Sequence, residues 1–347
     1  PGITRPGDRP GAGALPNFPD RPDIANRPDF PNRPDNRPGF PENRPWDPNQ
    51  RPWNPDHDRP WRPDNRPWRP DWANRPGIDN IHNRWDNVLN RPGHGGFDNW
   101  LDRHPDRRNY WNNWGNNVRN SWRYNNHQNY FNQSFWDSHY TNINFNHWNW
   151  SYWWTVPTYA GLTRWFSWQA PAAVWSEPIY YDYGPGGNVY YENNMVYMNG
   201  QEVGSAADYA ASAASLAAVE PPANQEEAEN AQWMPLGTFA VSANDKDADP
   251  SRVIQLAVNK QGVISGALYN YSTDQTQSVL GQVDKDTQRV AFRVGDNENI
   301  VAETGLYNLT QNEAPLLVHF GTEKTEEWLL VRLEDNSAQS EGSSPQP

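Results

Sequence analysis

Residues 253–270 read VIQLAVNKQGVISGALYN. Ile254, Leu256 and Val258 fall on alternate positions, the polar NKQG follows at 259–262, and a second run begins at once at Val263. Period-two alternation marks a strand with one buried face, and so short a connection makes the two strands antiparallel neighbours. The pattern extends to both sides, giving eight strand-like runs: Leu236–Val241, Val253–Val258, Val263–Asn270, Ser278–Val283, Arg289–Val294, Ile300–Leu306, Pro315–Phe320 and Glu327–Leu333. In the fifth, Val290, Phe292 and Val294 alternate with Arg289 and Arg293. Gly266, Gly281 and Gly305 lie inside strands, where glycine marks bends or bulges of a tightly curled sheet. An eight-stranded antiparallel meander of this kind is expected to close into a small up-and-down barrel, because closure removes both edges; a two-sheet sandwich is the alternative.

Upstream the chain is of another kind. Residues 1–77 are low complexity, built on Asn/Asp-Arg-Pro units such as Asn26-Arg27-Pro28 and Asn43-Arg44-Pro45-Trp46. Repeated proline drives the preceding residue out of the helical region and favours extended segments, so a disordered or semi-extended stalk is expected. Its Trp46, Trp53, Trp61, Trp68 and Trp72 sit near arginines in the sequence, a spacing that allows cation–π contacts. In 78–155, rich in Asn and Trp, helical spacing marks Ile78, Ile81, Trp85, Val88 and Leu89, then Trp111, Trp114, Val118 and Trp122, then Tyr130, Phe131, Phe135 and Trp136. Asparagine is a poor helix former, so these marginal helices need a partner. Residues 156–219 read as a hairpin–helix module. Thr158 caps a short helix through Leu162, Trp165 and Phe166; strands Asn188–Tyr191 and Met195–Met198 flank an Asn193-Asn194 turn; Ser205 caps an Ala-rich helix. An acidic linker (220–232) precedes the meander (233–335), and 336–347 form a disordered tail. The fold class is thus a largely disordered N-terminal half with marginal helices, then all-β.

Composition narrows the function. Of 347 residues only 35% are hydrophobic, the mean hydropathy is −1.04, and there are 33 Pro, 20 Trp and no Cys. The absence of Cys excludes a disulfide scaffold, a thiolate metal site and a cysteine nucleophile. No apolar stretch is long enough for a membrane-spanning helix. Beginning at Pro1 with no apolar leader, the chain reads as a mature form or a fragment. Residues 1–150 carry 20 Arg and 17 acidic residues, net +3, whereas 151–347 carry 9 basic and 25 acidic residues, net −16. That balance argues against nucleic acid as a partner.

Candidate site residues are few. Asp245, Asp247 and Asp249 space three carboxylates as a calcium loop begins, but Pro250 stands where the loop needs glycine and Leu256 where it needs glutamate. The histidines show no ligand spacing, and His319 reads as an outward-facing strand residue. No G-x-S-x-G, Walker loop or G-x-G-x-x-G is present, so no enzyme and no cofactor are expected. Tyr269, Tyr271, Tyr307 and Trp328 are the candidate ligand contacts if the barrel binds a small molecule or sugar.

The phrases YYDYG (180–184), VYMNGQ (196–201), WMPLGTFAV (233–241), QLAVNKQGVISGALYN (255–270) and ETGLYNLTQ (303–311) resemble a group of uncharacterised bacterial cell-surface proteins labelled mu-protocadherin-like. Gly237-Thr238-Phe239 and the Gly262–Gly266 spacing are loosely similar to the opening of avidin- and lipocalin-style barrels. The first resemblance implies secretion or surface exposure and no known activity; the second bears on fold alone. The expectation is a non-enzymatic secreted or cell-surface protein with a structural or adhesive role. Its Arg- and aromatic-rich arm would contact matrix, protein or polysaccharide partners or sister molecules. A ligand- or sugar-binding barrel on a stalk is the alternative.

Overall fold

The alternating runs of the C-terminal part pair with one another in chain order. A computed structural model of the chain describes residues 69–89, 100–124, 153–168, 175–219 and 231–334. In it β4 (Trp233–Ser242), β5 (Arg252–Asn259), β6 (Val263–Asn270), β7 (Gln275–Val283), β8 (Arg289–Val294), β9 (Ile300–Gly305), β10 (Glu313–Phe320) and β11 (Lys324–Arg332) form a closed antiparallel barrel. β11 closes it by pairing Leu330 with Val241 and Arg332 with Phe239. Ahead of the barrel stands a three-stranded sheet of β1 (Val189–Glu192), β2 (Met195–Met198) and β3 (Gln201–Ser205). The helices are α1 (Ile78–Leu89), α2 (Trp100–Arg103), α3 (Pro105–Tyr124), α4 (Tyr159–Trp165) and α5 (Ala206–Ala217). The expected helix around Tyr130–Trp136, the stalk up to residue 68, most of the acidic linker and the tail lie outside the described residues.

Alternation decides which side chains fill the barrel. Phe239, Leu256, Phe292, Leu316, Val318 and Leu330 face inward and are buried. Gly266 pairs with Leu256 and Gly281 with Phe292 in regular register, so neither forms a bulge. A Cβ on either would run into a carbonyl of the next strand, at Gln255 or Ala291. These glycines therefore permit close approach of strands around bulky inward neighbours. The register shift falls instead in β4, between Pro235 and Gly237. Here Leu236 drops out of the ladder and is buried at one end of the barrel.

That end is closed by a 3-10 turn, Asn308–Thr310, and by Arg332. The Arg332 guanidinium lies over the Phe239 ring at 4.5 Å and donates to the carbonyls of Leu236, Gln311 and Leu309 at 2.9, 3.1 and 2.5 Å. Among the described residues no carboxylate partners it, and burial pulls it down to about 10.

The outward positions are largely covered as well. Trp111, Trp114, Val118 and Trp122 stripe one face of α3 and pack on Ala240, Val253, Tyr269, Leu329 and Val331. The Trp114 indole donates to Ser242 Oγ at 2.8 Å. Its asparagines, among them Asn109, Asn113 and Asn116, stay exposed on the opposite face. The partner these weak helix formers require is thus the barrel itself. Over β8 and β9, Ala213, Ala214 and Ala217 of α5 lie against Ala291 and Val301, small side chains that let helix and sheet approach closely.

Between β1 and β2, Asn193 and Asn194 both take positive φ (49° and 63°), the primed hairpin turn whose twist matches the strands. Ser205 accepts from the Asp208 N–H at 3.1 Å, and Thr158 from Gly161 N–H at 3.1 Å, as caps of α5 and α4.

Candidate functional site

The most perturbed groups lie outside the barrel wall, beneath α5. Arg289, Glu303 and His319 occupy outward positions on β8, β9 and β10; Glu303 pairs with Ala291 and Leu317. Tyr209 of α5 donates its hydroxyl to Glu303 Oε1, and Arg289 donates to Glu303 Oε2 and, at 3.1 Å, to Ser212 Oγ. His319 Nε2 stands 3.4 Å from the same carboxylate. Above them the Trp85 ring stacks on Tyr209 at 5.2 Å and on Tyr181 at 5.8 Å, and the guanidinium lies 4.9 Å from the Trp85 centroid. Burial alone would raise the Glu303 carboxyl, but Arg289, then His319 and Tyr209, overcome it and hold it at about 2. Such a cluster resembles catalytic machinery. Yet Glu303 and His319 are 0% exposed and Arg289 4%, so no substrate reaches them. His319 does face outward, as alternation implied, but it meets α5 rather than water.

A second carboxylate organises the other flank. Asp182, also fully buried, accepts from the indoles of Trp100 at 2.9 Å and Trp111 at 2.7 Å and from Arg107 Nε and Nη2 at 2.9 and 2.7 Å. Arg107 continues to the carbonyls of Tyr183 and Pro185. One aspartate thereby anchors α2 and α3 to the YYDYG segment.

Glu327, on β11, lies close by: a side chain at Gly184 would collide with its carboxylate. Burial, then the charge of Asp182, push Glu327 up to about 7 against the pull of Arg107. In the unfolded chain such a carboxyl has its ordinary value of 4.5, so between the two values the folded state binds the extra proton. This contribution to stability is complete below 4.5 and is lost as pH rises through about 7. Glu313, also raised by burial, acts in the same direction. We expect the unfolding free energy from urea titration to fall between about pH 5 and about pH 8, by roughly 1–2 kcal/mol after allowance for partial exposure. Glu327→Gln should flatten that slope; an unchanged slope would remove Glu327 as its origin.

The four residues proposed as ligand contacts are not brought together. Tyr269 is buried on the outer wall under α3, its hydroxyl 2.9 Å from Asp274 Oδ1. Tyr271, beside it, donates to the Pro250 carbonyl at 2.8 Å. Trp328 faces inward toward the far end, with Arg252 4.5 Å over its ring and its indole donating to Glu326 Oε2 at 2.8 Å. Tyr307 lies at the closed end, edge-on to Tyr159 and Tyr180. Asp245, Asp247 and Asp249 occupy the β4–β5 connection, and among the described residues no group of three metal-capable side chains converges.

Tyr307 alone opens onto a cleft of about 430 Å³ between α2–α3 and the closed end. Its walls include Leu101 and Asn112 on one side, and Pro178, Tyr180 and Asn312 on the other. The sequence signal for it was slight, since Asn112 and Asn312 are two among many asparagines and lie 200 residues apart.

No protein-family model matches the chain, and neither a curated protein nor a solved structure shows significant similarity to it.

Proposed function

We propose that this is a non-enzymatic secreted or cell-surface protein that acts by contact, in a structural or adhesive role. The observation that carries this reading is the filled barrel: Phe239, Leu256, Phe292 and Leu330 occupy the interior where a binding barrel would hold its ligand. The charged clusters are consumed in packing, around Glu303 and around Asp182. Thirteen of the 20 Trp are described, and each is buried or half-buried. The remaining aromatic supply, including Trp46, Trp53, Trp61 and Trp68 among arginines, belongs to the N-terminal arm, which we assign to contact with matrix or partner surfaces. The resemblance of the YYDYG and VYMNGQ segments to bacterial surface proteins favours the same setting.

The test is retention of the full chain on insoluble peptidoglycan and on a gelatin matrix. Replacing Trp46, Trp53, Trp61 and Trp68 together by Ser is expected to reduce retention at least ~tenfold. Equal retention would overturn the assignment to the arm. Palmitate and other lipophilic probes should leave the melting temperature unchanged, because a ligand of the folded state alone would raise it.

A further inference from the structure

We propose that the cleft beside the closed end of the barrel is a binding site for a neutral saccharide. This deepens the contact reading by naming polysaccharide as the partner, and it rests on that reading only for the polymer, not for the sugar unit in the cleft. The volume of about 430 Å³ lies in the lower part of the range for small-molecule sites, ~300–1,000 Å³.

The lining selects the ligand. Asp102 is paired with Arg108, and Glu313 with Arg119, so the charged residues of the walls are already matched. A phosphate, a carboxylate or an amine would find no unpaired counter-charge. The side-chain amides of Asn112, half-buried on α3, and Asn312, exposed ahead of β10, line the cleft and make no hydrogen bond to another described residue. The Tyr180 side chain lines the same wall, with its hydroxyl oxygen buried out of reach of the cleft. A fatty chain lying over both amides would strip them of water without replacing it, at about 1–3 kcal/mol each. An amide offers both a donor and an acceptor, and so does each hydroxyl of a sugar. Leu101, Pro178 and the Tyr307 ring supply apolar surface for the C–H face of the same ring.

The experiment is calorimetric titration of the full chain with cellobiose, maltose and N,N′-diacetylchitobiose, with inorganic sulfate as the charged control. At least one disaccharide is expected to bind with a millimolar Kd, and sulfate is not. Asn112→Ala and Asn312→Ala should each weaken that binding ~tenfold without lowering the melting temperature, whereas Asn113→Ala, exposed on the same helix, should change nothing. Heat from none of the disaccharides, or binding that survives both substitutions, overturns the site. Failure here with retention still sensitive to the Trp46–Trp68 replacements would leave the contact reading standing. Retention lost only on substituting Asn112 and Asn312 would move adhesion from the arm to the cleft.

Discussion

Replacing Glu303 by alanine is expected to destabilise the folded chain by about 3–5 kcal/mol, read from urea unfolding. The effect is large because the substitution leaves Arg289 charged, sealed beneath α5 and deprived of its only carboxylate in the cluster, and removes the acceptor of the Tyr209 hydroxyl. Against a total of ~5–15 kcal/mol for an ordinary domain, that is a substantial fraction. A paired substitution separates the two explanations for such a loss. If the cost is that of an uncompensated charge, Glu303→Leu with Arg289→Met should recover much of it, since apolar replacements of a buried pair are often neutral. If α5 requires the polar pin for its position, the double variant stays weak. A loss below about 1 kcal/mol in Glu303→Ala would show that apolar packing alone holds α5. Loss of the pair on acidification has a defined window, because Glu303 is held at about 2 and has an ordinary value of 4.5. Its contribution is present above 4.5 and is lost as pH falls through about 2. Combined with the opposite slope from Glu327, stability should peak near pH 5.

Asp182→Ala should cost a similar ~3–5 kcal/mol. The substitution frees two indole N–H groups and the Arg107 guanidinium in a buried setting, and all three belong to the helical flank. We therefore expect tryptophan emission to shift to the red at lower urea than the far-UV signal of the strands. Asp182→Asn, which keeps one carbonyl oxygen, should lie between wild type and Ala. Coincident, wild-type-like transitions by both probes would show that α2 and α3 are held by their apolar contacts with the barrel wall alone.

Local signals carried the secondary structure. Ile78–Leu89 was legible from helical spacing, Thr158 and Ser205 as caps, Asn193-Asn194 as a turn, and the eight strands of the meander from alternation and short connections. β3 was missed because Gln201–Ser205 holds just one large apolar residue, Val203, and pairs across a bulge. The covering of the outer wall was also not legible. Alternation reports that Arg289, Glu303 and His319 share a face, but not that α5 will seal it. Nor could Asp182 be recognised as a hub, because its donors stand 71 to 82 residues earlier in the chain. The candidate contacts Tyr269, Tyr271, Tyr307 and Trp328 were chosen by residue type within the meander, and type does not tell outer wall from end.

The closure of β11 on β4 sets the order in which the protein can assemble. The Trp stripe of α3 rests on Ala240, Val253, Leu329 and Val331, a surface that spans both sides of that seam. Until the last strand has been synthesised and joined to the first, that surface is incomplete. The α3 stripe therefore cannot seat fully until late, and its indoles wait in water while more than 200 further residues are synthesised. Late, non-local closure is slow and leaves sticky segments exposed. The asparagines that make α3 weak on its own, together with its arginines, also keep it soluble during that wait, so the composition of this helix suits its assembly as much as its final structure.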